Sequence, residues 1–250
     1  MLRSSFVFLP RAGLATEKRL WSSGIKTWND FLNAKQLKGF SPEKKTTCDK
    51  LLRAASKALL EGDAAFFLKL PPREQWRLYA SFKDEALFLD IEIGNTNKDL
   101  ILIGMSNGLD FTWMVKGMNL EKETFFKELK KYKILITFNG AAFDIPVLER
   151  YFKTAITLPH IDLKHCCLKL CLKGGLKEVE RVLNLKRPAS LYGNPSDAWR
   201  AFHASGDREY LDALLKYNEE DVLNLKPIAD FCFQKLKEKL ISPYIKKQGE

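Results

Sequence analysis

Two hydrophobic periodicities divide the chain near residue 80. Beyond this point, short apolar runs alternate with segments in which apolar residues recur every three or four positions, the pattern of strands alternating with helices. The predicted strands are 86–93, 100–105, 111–115, 134–138 and 158–163. The first 80 residues show only the helical period, at 15–25, 27–37 and 41–63, and the last of these has Ser41 as its expected N-cap and Pro42 at its first helical position. We therefore predict a small all-helical module with a connector over residues 1–80 and an α/β domain over residues 81–250.

The order of the predicted elements indicates a mixed sheet. Three strands follow one another, with the hairpin signal Asn107-Gly108 before the third. The helix 120–132, for which Asn119 is the expected N-cap, leads to the fourth strand. A helix that begins at Asp144 leads to the short fifth strand, and only helices follow. This order places the first and fourth strands parallel at the centre, so their carboxyl ends share the crevice where α/β sheets bind ligands.

Two carboxylates interrupt the first strand, which reads FLDIEIG from residue 88 to residue 94. Side chains two apart on a strand point to the same face, so Asp90 and Glu92 must stand side by side. Asp144, just beyond the fourth strand, is expected at the same crevice. Three converging carboxylates repel one another and retain protons unless a divalent cation keeps them ionised. Oxygen ligands of this kind predict Mg²⁺ or Mn²⁺ rather than Zn²⁺.

A fourth carboxylate comes from the segment KYNEEDVLNL, residues 216–225. Tyr217 and Asp221 are four residues apart, so they share one face of a helix, and Asp221 lies among apolar residues that recur with the helical period. A tyrosine alone would be interpreted as a packing residue. Beside an inward-facing aspartate at this spacing, Tyr217 is interpreted as part of the site.

Ordered motifs give the segment 84–238 a family resemblance. Three motifs resemble those of the tyrosine-bearing (DEDDy) branch of the DEDD 3′→5′ exonuclease superfamily, namely Asp90-x-Glu92, Asn139-x-x-x-Phe143-Asp144 and Tyr217-x-x-x-Asp221. The longer stretches FLDIE, ITFNGAAFDIPVL, HIDLKH, GGLKEVE and YNEEDVLNL resemble the YprB-type ribonuclease H-like domain family. The resemblance implies an α/β, ribonuclease H-like fold, with a mixed five-stranded sheet flanked by helices.

The resemblance also implies an activity, the hydrolysis of phosphodiester bonds in DNA or RNA from a free 3′ end. The family uses two Mg²⁺ or Mn²⁺ ions, about 4 Å apart in such two-metal sites. Carried over to this chain, the metal ligands are Asp90, Glu92, Asp144 and Asp221, with Asp90 as the bridge between the ions. Tyr217 orients the attacking water and completes the catalytic set.

The same resemblance assigns contacts to the substrate. Asn139 and Phe143 are the expected contacts to the terminal nucleotide, although Phe143 fits a core position equally well. Asp162, in the motif HIDLKH, is interpreted as the N-cap of the helix that follows it and receives no catalytic role.

The positive charge of the chain is concentrated in its N-terminal third. Of the net charge of +10, residues 1–80 carry +8, from 15 Lys and Arg against 7 Asp and Glu. This excess indicates a polyanionic partner, and a charged soluble surface explains it equally well. The segment LPRAGLATEKRLWSSGIKTWNDFL, residues 9–32, resembles a helix-hairpin-helix element, with Gly13 and Gly24 in place and Arg11 where a hairpin glycine is expected. Such elements contact a nucleic-acid backbone through main-chain N–H groups.

The cysteines and the apolar runs bear on the location of the protein. Five cysteines in 250 residues do not make a disulfide framework. The group Cys166, Cys167 and Cys171 lacks the second pair of ligands that a structural zinc site needs, so these are interpreted as reduced, helical core thiols. No apolar run approaches the roughly 20 residues of a membrane helix. A cytoplasmic protein that does not bind membranes is therefore expected.

Two other functions are compatible with the sequence. A nucleic-acid-binding protein without turnover would keep its binding after Asp90→Ala and would show no metal-dependent degradation. A structure-specific ribonuclease H-like endonuclease would cut a circular substrate, whereas a 3′ exonuclease needs a free end. No reader of the 2′-hydroxyl group is recognisable, so DNA and RNA both remain as substrates.

Overall fold

Five strands form one mixed sheet in the computed structural model, which describes residues 1–94, 96, 99–187 and 195–245. The strands are β1 Ala86–Ile93, β2 Leu100–Ser106, β3 Phe111–Val115, β4 Ile134–Thr137 and β5 His160–Asp162. Their order across the sheet is β3-β2-β1-β4-β5. The first three strands are antiparallel neighbours, and β1, β4 and β5 run parallel. The predicted mixed sheet, with β1 and β4 parallel at its centre, is confirmed.

Helices lie on both faces of this sheet and in the N-terminal part of the chain. Among the residues that the structure describes, ten α-helices occur: α1 Leu14–Ser22, α2 Trp28–Asn33, α3 Pro42–Leu60, α4 Tyr79–Phe82, α5 Lys122–Leu129, α6 Asp144–Phe152, α7 Leu163–Lys169, α8 Leu176–Val182, α9 Pro195–Ser205 and α10 Arg208–Ile245. None of these described helices is long and apolar enough to cross a membrane.

The alternation of side chains along β1 decides what each face of the sheet meets. Leu87, Leu89 and Ile91 point into an apolar cluster completed by α5 and α6. Phe88 points to the other face, where α10 packs. Asp90 and Glu92 follow Phe88 at intervals of two, so they lie on the α10 face.

One predicted helix start is wrong. The helix after β3 begins at Lys122 with Glu121 as its N-cap, and Asn119 takes no part in the cap. The Asn119 side chain instead closes the end of β3, because its Oδ1 accepts from the Val115 N–H at 2.7 Å and its Nδ2 donates to the Trp113 carbonyl at 3.1 Å. An asparagine side chain can hydrogen bond to the free backbone groups at the end of a strand as well as at the start of a helix, and the sequence pattern does not distinguish the two.

The helix starts predicted for the N-terminal part fit the local chemistry. Ser41 caps α3 through a bond from the Lys44 N–H, and Pro42 occupies the first helical position, as predicted. Thr27 and Asp30 form a reciprocal capping box at the start of α2. Gly13 precedes α1 as its N-cap.

The N-terminal part and the sheet share one apolar core. Aromatic rings of the N-terminal part, among them Phe6 and Trp28, belong to the same buried cluster as Phe88 of β1 and Phe233 of α10. Trp76 lies 6.2 Å from Phe233 between ring centroids, so the connector packs against α10. The connector includes a 3-10 segment, Pro72–Leu78.

Buried ion pairs and a hydrogen bond also join the connector to the rest of the chain. Arg77, fully buried in the connector, pairs with Glu17 of α1 at 2.9 Å and with Glu74 at 2.8 Å. The Gln75 side chain accepts from the His160 N–H at 2.6 Å and so covers the edge strand β5.

The five cysteines are all free thiols. Cys166 and Cys167 are buried in α7, and the Cys167 sulfur lies 3.7 Å from that of Cys232 in α10. Cys171 is exposed, because α7 ends at Lys169 and the residue adopts a φ of 65° beyond the helix. Its predicted position as a helical core thiol is wrong.

Candidate metal centre

The carboxylates of β1 stand at the edge of the α10 face. Asp90 pairs across the sheet with Gly104 and Glu92 with Leu102, and a register shift follows Glu92. Both carboxylate residues are half-buried, whereas the apolar residues between and before them are buried. The strand thus places two adjacent carboxylates where an apolar interior opens to a crevice.

Helix α10 brings a third carboxylate to this pair. Leu214, Val222 and Leu225 are buried and hold the helix against the sheet. Asp221, on the adjoining side of the helix, is buried as well. Oxygens of Asp90, Glu92 and Asp221 all lie within 4.8 Å of one another, close enough to share a metal ion. Asp221 is far from Asp90 and Glu92 in the sequence and meets them only because α10 crosses the sheet at β1 and β2.

Asp144 lies beside this group of three without belonging to it. It is the first residue of α6 and only 2% exposed. The backbone N–H groups of Asp144 itself and of Ile91 act to lower the pKa of its carboxyl group. Its Oδ1 is buried without a hydrogen-bond partner among the described residues. A buried carboxylate oxygen without a donor is a position that a cation can satisfy.

Burial and mutual repulsion make the cluster bind protons. Burial first, and then the charges of Asp144 and Glu92, raise the pKa of Asp90 well above its usual range. Burial raises the pKa of Glu92 to about 7, and the nearby Asn218 amide acts in the opposite direction. Burial also raises the pKa of Asp144 to about 7. The residues present therefore fit a divalent cation, since all the ligands are hard oxygens and the neighbouring carboxylates repel one another.

Tyr217 precedes Asp221 by one helical turn and is half-buried. Two cationic side chains lie against its ring. Lys177 Nζ is 4.6 Å from the ring centroid, and the Arg187 guanidinium carbon is 5.5 Å from it. The tyrosine predicted for the site therefore lies beside positive charge at the rim of the acidic cluster.

The loop after β4 carries the residues predicted to contact the substrate. Asn139 adopts a φ of 68°, and its N–H donates to Asp162 at 2.9 Å. Asp162 also accepts from the Ala141 N–H at 3.1 Å and caps α7 through the Lys164 N–H at 3.0 Å. The predicted N-cap role of Asp162 is confirmed, and the same carboxylate also holds the loop.

Phe143 ends this loop as the N-cap of α6. It is partly buried and packs against the apolar cluster on the far face of the sheet. A core contribution of Phe143 is therefore present, as the sequence allowed.

The comparison with protein families identifies the fold. The model of a family described as RNase_H superfamily matches residues 87–232, which is more than half of the chain. The chain belongs to the RNase H superfamily. The predicted ribonuclease H-like fold, a mixed five-stranded sheet with flanking helices behind a helical N-terminal region, is thereby confirmed.

The match includes the acidic cluster of this RNase H superfamily member. It begins at Leu87 in β1 and ends at Cys232 in α10, so Asp90, Asp144 and Asp221 lie inside it. Residues 1–86 lie outside.

One solved structure is similar over part of the chain, the family B DNA polymerase from the hyperthermophilic archaeon Pyrobaculum calidifontis. The identity is 15% and the TM-score 0.44, over 62% of this chain and 24% of the polymerase. The region of similarity thus covers about a quarter of that polymerase. No curated protein matches the sequence.

Two features of this RNase H superfamily site were not anticipated from the sequence. Asn218 is completely buried, and its Nδ2 donates to Asp90 Oδ2 at 2.9 Å. The sequence signal for this contact was Gly104, which lies inside the apolar strand β2, because a glycine in the interior of a strand often marks the close approach of another group.

The second feature is Arg187, which forms ion pairs with Asp221 and with the buried Glu180, the latter at 2.7 Å. Nothing in the sequence pattern around Arg187 indicated this position, because the residue follows α8 in an irregular segment.

Proposed function

We propose that this chain is a metal-dependent 3′→5′ exonuclease that hydrolyses phosphodiester bonds of DNA or RNA. The observation that carries the proposal is the convergence of Asp90, Glu92 and Asp221, whose oxygens lie within 4.8 Å of one another in an RNase H fold. Asp144 beside them and Tyr217 one turn before Asp221 complete the set expected of the DEDDy branch. A nucleic acid is the substrate class to which this fold and this set of residues are suited.

The proposed ligands of two Mg²⁺ or Mn²⁺ ions are Asp90, Glu92, Asp144 and Asp221. When bound, such ions activate a water and stabilise the charge on the leaving oxygen. The raised pKa values of the carboxylates support the proposal, because the cluster needs more positive charge than Arg187 supplies to be ionised at neutral pH.

Other residues of the chain serve the substrate in this proposal. The hydroxyl group of Tyr217 orients the attacking water, and the two cations beside its ring add positive potential where a phosphate would bind. Asn139 and Phe143 contact the terminal nucleotide. The hydrogen bonds from the loop to Asp162 support this assignment, since they hold the Asn139 backbone in a fixed conformation.

The proposal includes residues 1–80 as a helical module that increases affinity for nucleic acid. Arg11 has a φ of 55°, the left-handed conformation that a glycine adopts readily at this position of a helix-hairpin-helix element. Arg11 and Gly13 are exposed at the start of α1, where main-chain N–H groups can meet a phosphate. The excess positive charge of this segment agrees with phosphate binding.

The test uses DNA and RNA oligonucleotides labelled at the 3′ or the 5′ end, with Mn²⁺ or with EDTA. A 3′→5′ exonuclease releases the 3′ label first as a mononucleotide and shortens the 5′-labelled strand progressively, only with the metal. Asp221→Ala abolishes this activity. Asp212→Ala, an exposed residue of the same helix, is the matched control and keeps it.

Two results would contradict the proposal. Equal degradation by wild type and Asp221→Ala would refute the assigned site. Cleavage of a covalently closed circular substrate would identify an endonuclease, because a 3′ exonuclease has no end to attack there.

A further inference from the structure

Asn218 lies directly beneath the acidic cluster, between the two functional residues of α10. It follows Tyr217 and precedes Asp221 by three positions, which directs its side chain toward the sheet. The residue is 0% exposed, and its Nδ2 donates to Asp90 Oδ2 at 2.9 Å. The hydrogen bond joins residues 128 positions apart, so it ties α10 to β1 at the site itself.

The amide of Asn218 is hydrogen bonded through its Nδ2 and not through its Oδ1. Its Oδ1 is buried and has no donor among the described residues, so the carbonyl end gains nothing from its position. A buried polar group of this kind is uncommon and costs stability. The benefit of Asn218 therefore lies in its Nδ2 and in the carboxylate that this group engages.

Gly104 provides the space that Asn218 needs. Gly104 lies opposite Asp90 in the register of β1 and β2. A Cβ atom at residue 104 would lie 1.7 Å from Asn218 Oδ1 and 2.9 Å from its Cγ. Gly104 is not among the glycines with positive φ, so the absence of a side chain, rather than backbone freedom, is what the position requires. Any side chain there would push Asn218 away from Asp90.

Orientation of a metal-binding carboxylate depends on such a partner. A carboxylate held through one oxygen cannot rotate freely, and outer-shell donors of this type contribute about 10- to 100-fold to metal affinity. We propose that Asn218 is a positioning residue that orients Asp90 for metal binding, and that Gly104 is required because it admits Asn218. This inference rests on the proposed function, in which Asp90 is a metal ligand.

The test compares wild type, Asn218→Ala, Gly104→Ala and the double variant. The first measurement is Mn²⁺ affinity, from the electron paramagnetic resonance signal of free Mn²⁺. The second is the thermal midpoint in EDTA, which reports on the fold without metal. Asn218→Ala is expected to weaken Mn²⁺ binding by about 10- to 100-fold while the chain remains folded. Gly104→Ala weakens it as well, because the added methyl group displaces the amide.

The double variant decides whether the two residues act together. Once Asn218 is alanine, Gly104→Ala has no amide to displace, so the double variant binds Mn²⁺ within about a factor of two of Asn218→Ala alone.

Three outcomes overturn the inference. In the first, Asn218→Ala binds Mn²⁺ as tightly as wild type does, although wild type degrades nucleic acid with Mn²⁺. The inference then fails and the proposed function survives. In the second, the two single effects multiply in the double variant, which means that Gly104 acts independently of Asn218. In the third, wild type binds no Mn²⁺, and the proposed function fails together with the inference.

Discussion

Glu92→Gln removes a proposed metal ligand, yet it should stabilise the metal-free protein at pH 8. Burial raises the pKa of Glu92 to about 7 from an ordinary value of 4.5. The folded state therefore binds this proton more tightly than the unfolded state does. Stability from the protonated group is fully present below pH 4.5 and is lost as the pH rises to about 7. Above pH 7 the buried charge is a constant cost to the folded protein.

The size of the effect follows from the shift in pKa. One pKa unit corresponds to about 1.4 kcal/mol, so the shift of Glu92 amounts to about 3 kcal/mol in the free energy of unfolding at pH 8. Glutamine has nearly the same shape and carries no charge. The gain from Glu92→Gln should therefore be close to zero at pH 4 and reach about 3 kcal/mol at pH 8.

Urea unfolding in EDTA at pH 4, 6 and 8, followed by tryptophan fluorescence, measures this gain. Glu123→Gln, an exposed glutamate of α5, is the matched control and should change stability little at any of these pH values. Addition of Mn²⁺ at pH 8 should then stabilise wild type more than Glu92→Gln. A variant that is no more stable than wild type at pH 8, or equally more stable at pH 4 and pH 8, would refute the reasoning.

Three further predictions concern the site and its supports. Arg77→Met leaves Glu17 buried without its cation and should cost about 3–5 kcal/mol in urea unfolding, whereas Arg77→Met combined with Glu17→Gln should recover part of this loss. Tyr217→Phe should lower kcat by about 100-fold with unchanged Mn²⁺ affinity, and an unchanged kcat would remove Tyr217 from the catalytic set. Asp162→Ala removes three accepted hydrogen bonds and should cost about 1–3 kcal/mol while raising KM, as measured by unfolding and steady-state kinetics.

Local patterns predicted the elements and the pairs of residues that share a face. All five strands occur where the apolar runs predicted them, and the central parallel pair β1 and β4 followed from their order. The N-caps Ser41 and Asp162 were also predicted, since a capping side chain bonds to its own helix. The role of Asn119 was predicted wrongly, because its side chain can hydrogen bond to the backbone at the nearby end of β3 as well as at the start of a helix.

The sequence by itself determined that Asp90 and Glu92 share a face of β1 and that Tyr217 and Asp221 share a face of α10. The backbone geometry of a strand and of a helix sets these relations wherever the element lies. Only the tertiary structure decided that α10 crosses the sheet over Gly104, because that contact depends on how separate elements pack. Asn218 reaches Asp90 through this crossing, and Asp221 reaches the same crevice. Hydrophobic periodicity relates residues that are close in the sequence. The candidate metal centre is formed by residues from separate elements, and their proximity depends on how the whole core packs.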